Sequence, residues 1–132
     1  MIVVADVSAV MEILFRKDKK DLFSGRIEEA SWVIAPDLYV SEISNVLWKY
    51  HTVGAITPAD CARYAEDGIH MIDNFIEGKE LWKEALGDGI KHKHSIYDMY
   101  YLVLARRHNA VLITGDGTLA RLCRKLKIDL YH

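Results

Sequence analysis

Short runs of consecutive apolar residues constrain the fold of this chain more than any other feature. Residues 2–5 (Ile-Val-Val-Ala), 32–35 (Trp-Val-Ile-Ala) and 110–114 (Ala-Val-Leu-Ile-Thr) are apolar throughout or nearly so and rich in β-branched side chains. Strands of a parallel sheet have this composition because helices cover both faces of the sheet. Residues 128–131 predict a final strand, and residues 72–76 fit either a short strand or an extended turn.

Stretches with helical spacing of apolar residues separate these runs. They predict helices from about residue 9, over 21–30, from Pro36-Asp37 to a stop at Gly54, and over 57–71, 80–91, 95–108 and 118–125. Gly87 and Gly89 weaken the prediction for the helix over 80–91. Strands that alternate with helices predict an α/β fold, a three-layer α/β/α domain with a mostly parallel sheet.

Length and composition predict one ordinary globular domain over residues 1–132. No uninterrupted apolar run reaches the roughly 18 residues of a membrane span, and the first residues lack the pattern of a signal peptide. Cys61 and Cys123 are far apart and have no metal-binding spacing. They predict buried thiols in a reducing compartment, with a disulfide as the minor alternative, so we expect a cytoplasmic protein.

The charge pattern does not indicate a strongly basic nucleic-acid-binding protein, because the formal net charge is −2. Basic residues nevertheless cluster at 16–20, 91–94 and 121–127. Each cluster is either a solvated helix face or a phosphate contact. His92 and His94 in the second cluster suggest a metal tract less strongly than a solvated loop, since no third ligand is adjacent.

Four acidic residues lie where the predicted strands end or the following helices begin. Asp6 directly follows the first strand, and Asp116 comes two residues after the strand at 110–114. Glu42 lies near the start of the helix after the second strand, and Asp98 lies in the first turn of its own helix. Ligands of parallel sheets bind beyond the carboxyl ends of the strands, so these four acids could meet in one cleft.

Clustered carboxylates favour a hard divalent cation, because their mutual repulsion is unfavourable until it is neutralised. One ion, or two about 4 Å apart, would suit phosphodiester cleavage, and the lack of Cys and His favours Mg²⁺ or Mn²⁺ over Zn²⁺. Each acid also has an ordinary explanation. Asp6 and Asp116 could cap helices, Glu42 could be a solvated helical residue, and Asp98 could complete a capping box begun by Ser95.

Four segments together resemble the PIN domain family, in particular the short VapC-like toxins of bacterial and archaeal toxin–antitoxin pairs. They are Val4-Ala-Asp6-Val-Ser8-Ala, Pro36-Asp-Leu-Tyr-Val-Ser-Glu42-Ile-Ser-Asn45-Val-Leu, Ser95-Ile-Tyr-Asp98-Met-Tyr-Tyr101-Leu-Val-Leu-Ala105 and Leu112-Ile-Thr114-Gly-Asp116-Gly-Thr-Leu119. The segments follow the family's order and span nearly the whole chain. Any one of them is a weak signal, whereas four in order are specific.

The resemblance implies a metal-dependent endoribonuclease that hydrolyses RNA. The acids Asp6, Glu42, Asp98 and Asp116 would hold Mg²⁺ or Mn²⁺ and carry the catalysis, and Ser8, Asn45 and Thr114 match positions that support those acids or contact bound water. It also implies a homodimer and a small VapB-like antitoxin as partner. Two departures are the large Met99 and Tyr100 and the glycines Gly115 and Gly117, which could loosen the loop around Asp116.

Other functions fit parts of the same sequence. Phosphoryl transfer of the haloacid-dehalogenase type needs a second acid two residues after the first, where this chain has Ser8. An RNA-processing PIN nuclease without a toxin role, and a non-catalytic PIN scaffold or nucleic-acid-binding module, stay open as alternatives. Tyr97 and Tyr100 are candidates for base stacking, whereas Tyr101 is expected in the core.

Overall fold

The computed structural model describes all 132 residues, and a sheet of five parallel strands lies at its centre. The strands are β1 (Ile2–Ala5), β2 (Trp32–Pro36), β3 (Asn74–Ile76), β4 (Val111–Ile113) and β5 (Leu130–Tyr131). Their order across the sheet is β3-β2-β1-β4-β5. The predicted α/β class is confirmed, and the sheet is parallel throughout rather than mostly parallel.

Seven α-helices flank the sheet and complete the three layers. They are α1 (Val7–Leu14), α2 (Lys20–Glu29), α3 (Leu38–Thr52), α4 (Pro58–His70), α5 (Trp82–His92), α6 (Ile96–His108) and α7 (Gly117–Lys125). A short 3₁₀ helix, Gly78–Glu80, precedes α5. No helix is both long enough and apolar enough to cross a membrane.

The central strand β1 explains the apolar runs in the sequence. Val3 pairs with Val33 on one side and Val111 on the other, and Val3, Val4 and Ala5 have no solvent-exposed surface. A strand with neighbours on both edges and helices on both faces has no exposed position, so no polar residue alternates with the apolar ones. Asp6 is the first polar residue after β1 and therefore lies at the carboxyl edge of the sheet.

Two predicted helix starts differ from the structure. Pro36 was expected to open a helix, but it is the last residue of β2 and pairs with Ile76 of β3. The Asp37 N–H then donates to the Ile76 carbonyl at 2.8 Å, and α3 begins only at Leu38. The first helix begins at Val7 rather than near Ala9, because the Asp6 side chain caps it.

Several other local signals agree with the structure. Thr57 and Asp60 form a reciprocal capping box, and Pro58 is the first residue of α4, as the sequence predicts. The ambiguous stretch 72–76 contains a strand, β3. Cys123 is buried, Cys61 is half-buried, and both are free thiols.

Gly89 and Gly87 lie two residues apart in α5 but in different surroundings. A Cβ on Gly89 would lie 2.2 Å from Ile96 Cδ1 and 3.1 Å from the His94 carbonyl oxygen, because the chain turns back over α5 there. A Cβ on Gly87 would meet no atom within 4 Å. Gly89 therefore lies in close packing that a methyl group would disturb, whereas Gly87 lies in open space and only lowers the stability of the helix.

We expect Gly89→Ala to lower the free energy of unfolding by about 1–3 kcal/mol, because the His94 backbone must move to accommodate the methyl group. Gly87→Ala, the matched control, should raise it by up to about 1 kcal/mol through better helix propensity. Urea denaturation followed by circular dichroism measures both. Equal stability of the two variants would contradict the close packing at Gly89.

Candidate active site

One cleft at the carboxyl edge of the sheet is lined by the four predicted acids. Asp6 follows β1, Asp116 follows β4, Glu42 lies on α3 and Asp98 on α6. The cleft has a volume of about 420 Å³ and is open to solvent. The parallel strand order β2-β1-β4 brings these separate parts of the chain to one place, because all three strands end at the same edge.

Asp6 is the most buried of the four acids, with 7% of its surface exposed. Its Oδ1 accepts hydrogen bonds from Ser8 Oγ at 2.6 Å and from the Ala9 N–H at 2.9 Å, and its Oδ2 accepts one from Thr114 Oγ1. Burial raises the pKa of Asp6 from its usual 3.8 to about 6, although these three hydrogen bonds lower it, and the charge on Asp98 raises it further. Ser8 and Thr114 thus both contact the acid that they were predicted to support.

The loop around Asp116 is held by hydrogen bonds on both sides of the acid. The Gly115 N–H donates to Ser8 Oγ at 2.8 Å, and the Asp116 N–H donates to Thr114 Oγ1 at 3.0 Å. Asp116 Oδ1 accepts from the Thr118 N–H at 2.8 Å and caps α7. Hydrogen bonds therefore hold this loop in place despite its two glycines, Gly115 and Gly117. Like Asp6, Asp116 both caps a helix and lines the cleft, so its two proposed roles are compatible.

Glu42 is oriented by a tyrosine that the sequence assigned only to the core. The Tyr101 hydroxyl donates to Glu42 Oε1 at 2.6 Å, and only 2% of Tyr101 is exposed. Burial raises the pKa of Glu42; the Tyr101 hydrogen bond opposes the rise, and the charges of Asp6 and Asp98 add to it. Burial and the nearby carboxylate also raise the pKa of Tyr101, so its hydroxyl keeps the proton it donates.

Asp98 is bound by His94 rather than by the expected capping box. His94 Nε2 lies 2.8 Å from Asp98 Oδ2, whereas the Ser95 side chain makes no capping hydrogen bond. Burial raises the pKa of Asp98, the hydrogen bond and charge of His94 oppose the rise, and Asp116 adds to it. The prediction of a solvated loop was wrong for His94, whose side chain is only 11% exposed.

Asn45 lies outside the cleft. It is exposed and lines a neighbouring cavity together with Leu38, Ser41 and Tyr97, and only Glu42 borders both cavities. Asn45 makes no hydrogen bond to any of the four acids, although it lies three residues after Glu42 on α3.

The donor set of the cleft fits a hard divalent cation with few direct protein ligands. No three His, Cys, Asp or Glu side chains in the chain are grouped closely enough to hold a metal ion. Each carboxylate is instead bound by its own protein donor. Mg²⁺ commonly takes one or two carboxylates and completes its coordination with water and phosphate. Burial raises the pKa values of Asp6, Glu42 and Asp98 because it disfavours their charged forms, and a bound cation would offset that cost.

Comparison with known proteins decides the family. The family model described as PIN domain matches residues 3–125. The chain belongs to the PIN domain family. Ribonuclease VapC3 from Pyrobaculum aerophilum is similar to this PIN domain, at 25% identity over 122 residues that cover 91% of this chain and 93% of that protein.

A solved structure supports the same fold. The crystal structure of PAE2754 from Pyrobaculum aerophilum resembles this PIN domain with a TM-score of 0.73 at 22% sequence identity. The match covers 92% of this chain and 86% of the other. The family resemblance carried by the four segments and the three-layer fold predicted from alternating strands and helices are both confirmed.

The sequence did not predict that Tyr101 and His94 bind acids of this PIN domain. Tyr101 is three residues after Asp98 on α6, and this spacing places both on one side of the helix. That signal was present but pointed equally well to the core. His94 precedes α6, so no helical spacing relates it to Asp98, and only the turn between α5 and α6 brings the two together.

Asp6→Asn should stabilise the metal-free PIN domain at high pH. The folded protein binds the Asp6 proton more tightly than the unfolded chain does. The stability gained from protonated Asp6 is therefore complete below the usual pKa of 3.8 and is lost as the pH rises through about 6. Asn keeps an acceptor for the Ala9 N–H and still caps α1. In EDTA at pH 8, we expect the variant to gain roughly 1–3 kcal/mol of unfolding free energy, with little difference at pH 4.

Asp60→Asn is the matched control for that measurement by urea denaturation. Hydrogen bonds from Thr57 lower the pKa of Asp60, so its charged form favours the folded state and stability should fall on substitution at pH 8. The two substitutions make the same chemical change with opposite expected signs. An Asp6→Asn variant that is less stable than wild type at pH 8 would contradict the unfavourable burial of its charge.

Proposed function

We propose that this PIN domain is a divalent-metal-dependent endoribonuclease. The observation that carries the proposal is the single cleft in which four acids from separate elements meet at the carboxyl edge of the sheet. Similarity to a protein named Ribonuclease VapC3, over nearly the full length of both chains, supports RNA as the substrate class. The catalytic residues would be Asp6, Glu42, Asp98 and Asp116.

The residues of the cleft would contribute orientation and charge. Ser8 and Thr114 fix Asp6, Tyr101 fixes Glu42, His94 fixes Asp98, and the first turn of α7 fixes Asp116. The chemistry that Mg²⁺ or Mn²⁺ supplies when held there is activation of water and neutralisation of charge at the phosphate. Carboxylates that are already oriented lose little further freedom when they bind a cation or position a phosphodiester.

Asp98→Asn should reduce cleavage of single-stranded RNA by more than about 100-fold, since even partners behind a metal ligand contribute 10–100-fold. Cleavage by the wild type should stop in EDTA and return with excess Mg²⁺ or Mn²⁺. Gel analysis of a labelled RNA measures both effects. Asp21→Asn is the control, because this side chain is 97% exposed on α2 and far from the cleft acids in sequence.

Thermal stability separates loss of activity from loss of folding. Mn²⁺ should raise the melting temperature of the wild type and of Asp21→Asn, because the ion binds the folded cleft only, and it should raise that of Asp98→Asn less. Undiminished cleavage in EDTA would refute the metal requirement. Undiminished cleavage by folded Asp98→Asn would remove that acid from the catalytic set.

We propose further that the domain is the toxin of a type II toxin–antitoxin pair, with a VapB-like antitoxin as its partner. The similarity to VapC3 over 93% of that protein supports this role.

A homodimer is proposed from the apolar stripe of Trp82, Leu86 and Ile90, which lie one turn apart on α5 and are 50%, 42% and 70% exposed. A monomeric mass in light scattering would refute the homodimer.

Induced expression should arrest bacterial growth if the domain is a toxin, and expression of Asp6→Asn at the same level should not. The comparison also tests the alternative of an RNA-processing nuclease, which would cleave RNA in vitro without stopping growth. Colony counts after induction measure the effect, with immunoblots to confirm equal protein levels. Equal growth with both proteins, together with cleavage in vitro, would favour the processing role.

A further inference from the structure

Lys17 is the single basic side chain on the wall of the acidic cleft. The wall also includes a fifth carboxylate, Glu12 of α1, beside the four acids already described. A polyanion that enters such a cleft is repelled by the carboxylates, so a cation on the wall strongly influences where the strand can be held. The chain as a whole supplies no such attraction, since its net charge is −2.

The structure holds Lys17 in place by several contacts. The chain leaves α1 through Arg16, whose φ is +52°, and the Lys17 N–H then donates to the Glu12 carbonyl at 2.9 Å. Lys17 Nζ donates to the Tyr50 hydroxyl at 3.2 Å and lies 5.8 Å from the centroid of that ring. Phe15 packs edge-on against Tyr50 at 4.7 Å between centroids, which fixes the ring.

The ammonium group of Lys17 keeps donors available for a ligand. It has no carboxylate within 4.0 Å, whereas Lys20 in the same segment pairs with Asp21 at 3.9 Å. An ammonium carries three N–H donors, and the Tyr50 hydroxyl uses one of them. Two donors therefore remain for anionic oxygens such as those of a phosphate.

The position of Tyr50 on α3 locates Lys17 relative to the acids. Glu42, Val46 and Tyr50 are spaced four residues apart and all line the cleft. Eight residues of helix correspond to about 12 Å along the axis. Lys17, bound to the Tyr50 hydroxyl, therefore lines the part of the cleft wall that lies about two helical turns along α3 from Glu42.

We propose that Lys17, oriented by Tyr50, binds a backbone phosphate next to the scissile one and so positions the RNA strand across the acids. The proposal rests on the proposed ribonuclease function and adds a substrate-binding subsite to it. Lys17 contacts the substrate directly, and Tyr50 acts through Lys17. The subsite recognises the charged backbone and carries no base preference of its own.

The test is steady-state cleavage of a labelled single-stranded RNA at several salt concentrations. Lys17→Gln should raise KM roughly 10-fold, the size of a lost charged hydrogen bond, with kcat close to that of the wild type. The slope of log KM against log salt should fall by about 0.7, as expected for one lost phosphate contact on a single strand. Lys17→Arg should retain most of the affinity, and Tyr50→Phe should give an intermediate KM.

Lys49→Gln is the matched control, because Lys49 is exposed beside Tyr50 but does not line the cleft. Its KM and salt slope should equal those of the wild type. If Lys17→Gln matches the wild type in both quantities, the subsite is refuted while the ribonuclease function stands. A fall in kcat at unchanged KM also refutes it. If the wild type cleaves no RNA, the proposed function and the subsite are refuted together.

Discussion

The hydrogen bonds that the buried Asp6 carboxylate accepts are the interaction on which the rest of this structure depends. Asp6 ends the central strand, caps α1 through the Ala9 N–H, and accepts a hydrogen bond from Thr114 at the end of β4. The Asp6 side chain thus connects the ends of the neighbouring strands β1 and β4 with the start of α1. Removing a charged carboxylate from water is unfavourable, and its raised pKa shows that the hydrogen bonds only partly offset this cost.

The same arrangement recurs at the other acids, each of which is held by a partner from a nearby element. Tyr101 binds Glu42 and His94 binds Asp98, while the N–H groups of α7 bind Asp116. These contacts fix the directions of the carboxylates without neutralising most of their charge. Burial of these charged groups opposes folding at neutral pH, as their raised pKa values indicate, and the cation of the proposed function would offset that cost.

Charge in this PIN domain is organised locally rather than over the whole surface. In the proposed function, the acids repel a polyanion at the place where the phosphodiester would lie, and the overall charge of −2 does not compensate. Lys17 would attract the strand from the cleft wall, and a divalent cation would attract it among the acids. Specific positions, not a basic surface, would thus hold an RNA strand.

The sequence by itself determined the layered α/β fold and the edge at which the acids lie, because the apolar runs show where each strand ends and all parallel strands end alike. The tertiary structure alone decided which side chains touch. Asn45 matched a supporting position but lines the neighbouring cavity and makes no hydrogen bond to the acids, whereas His94 looked like a loop residue and binds Asp98. The sequence placed Tyr101 in the core but did not show its contact with Glu42, and Pro36 ended a strand because Ile76 of β3 pairs with it there. Position along an element is a local property that the chain encodes directly, whereas the contacts of a side chain depend on how separate elements pack.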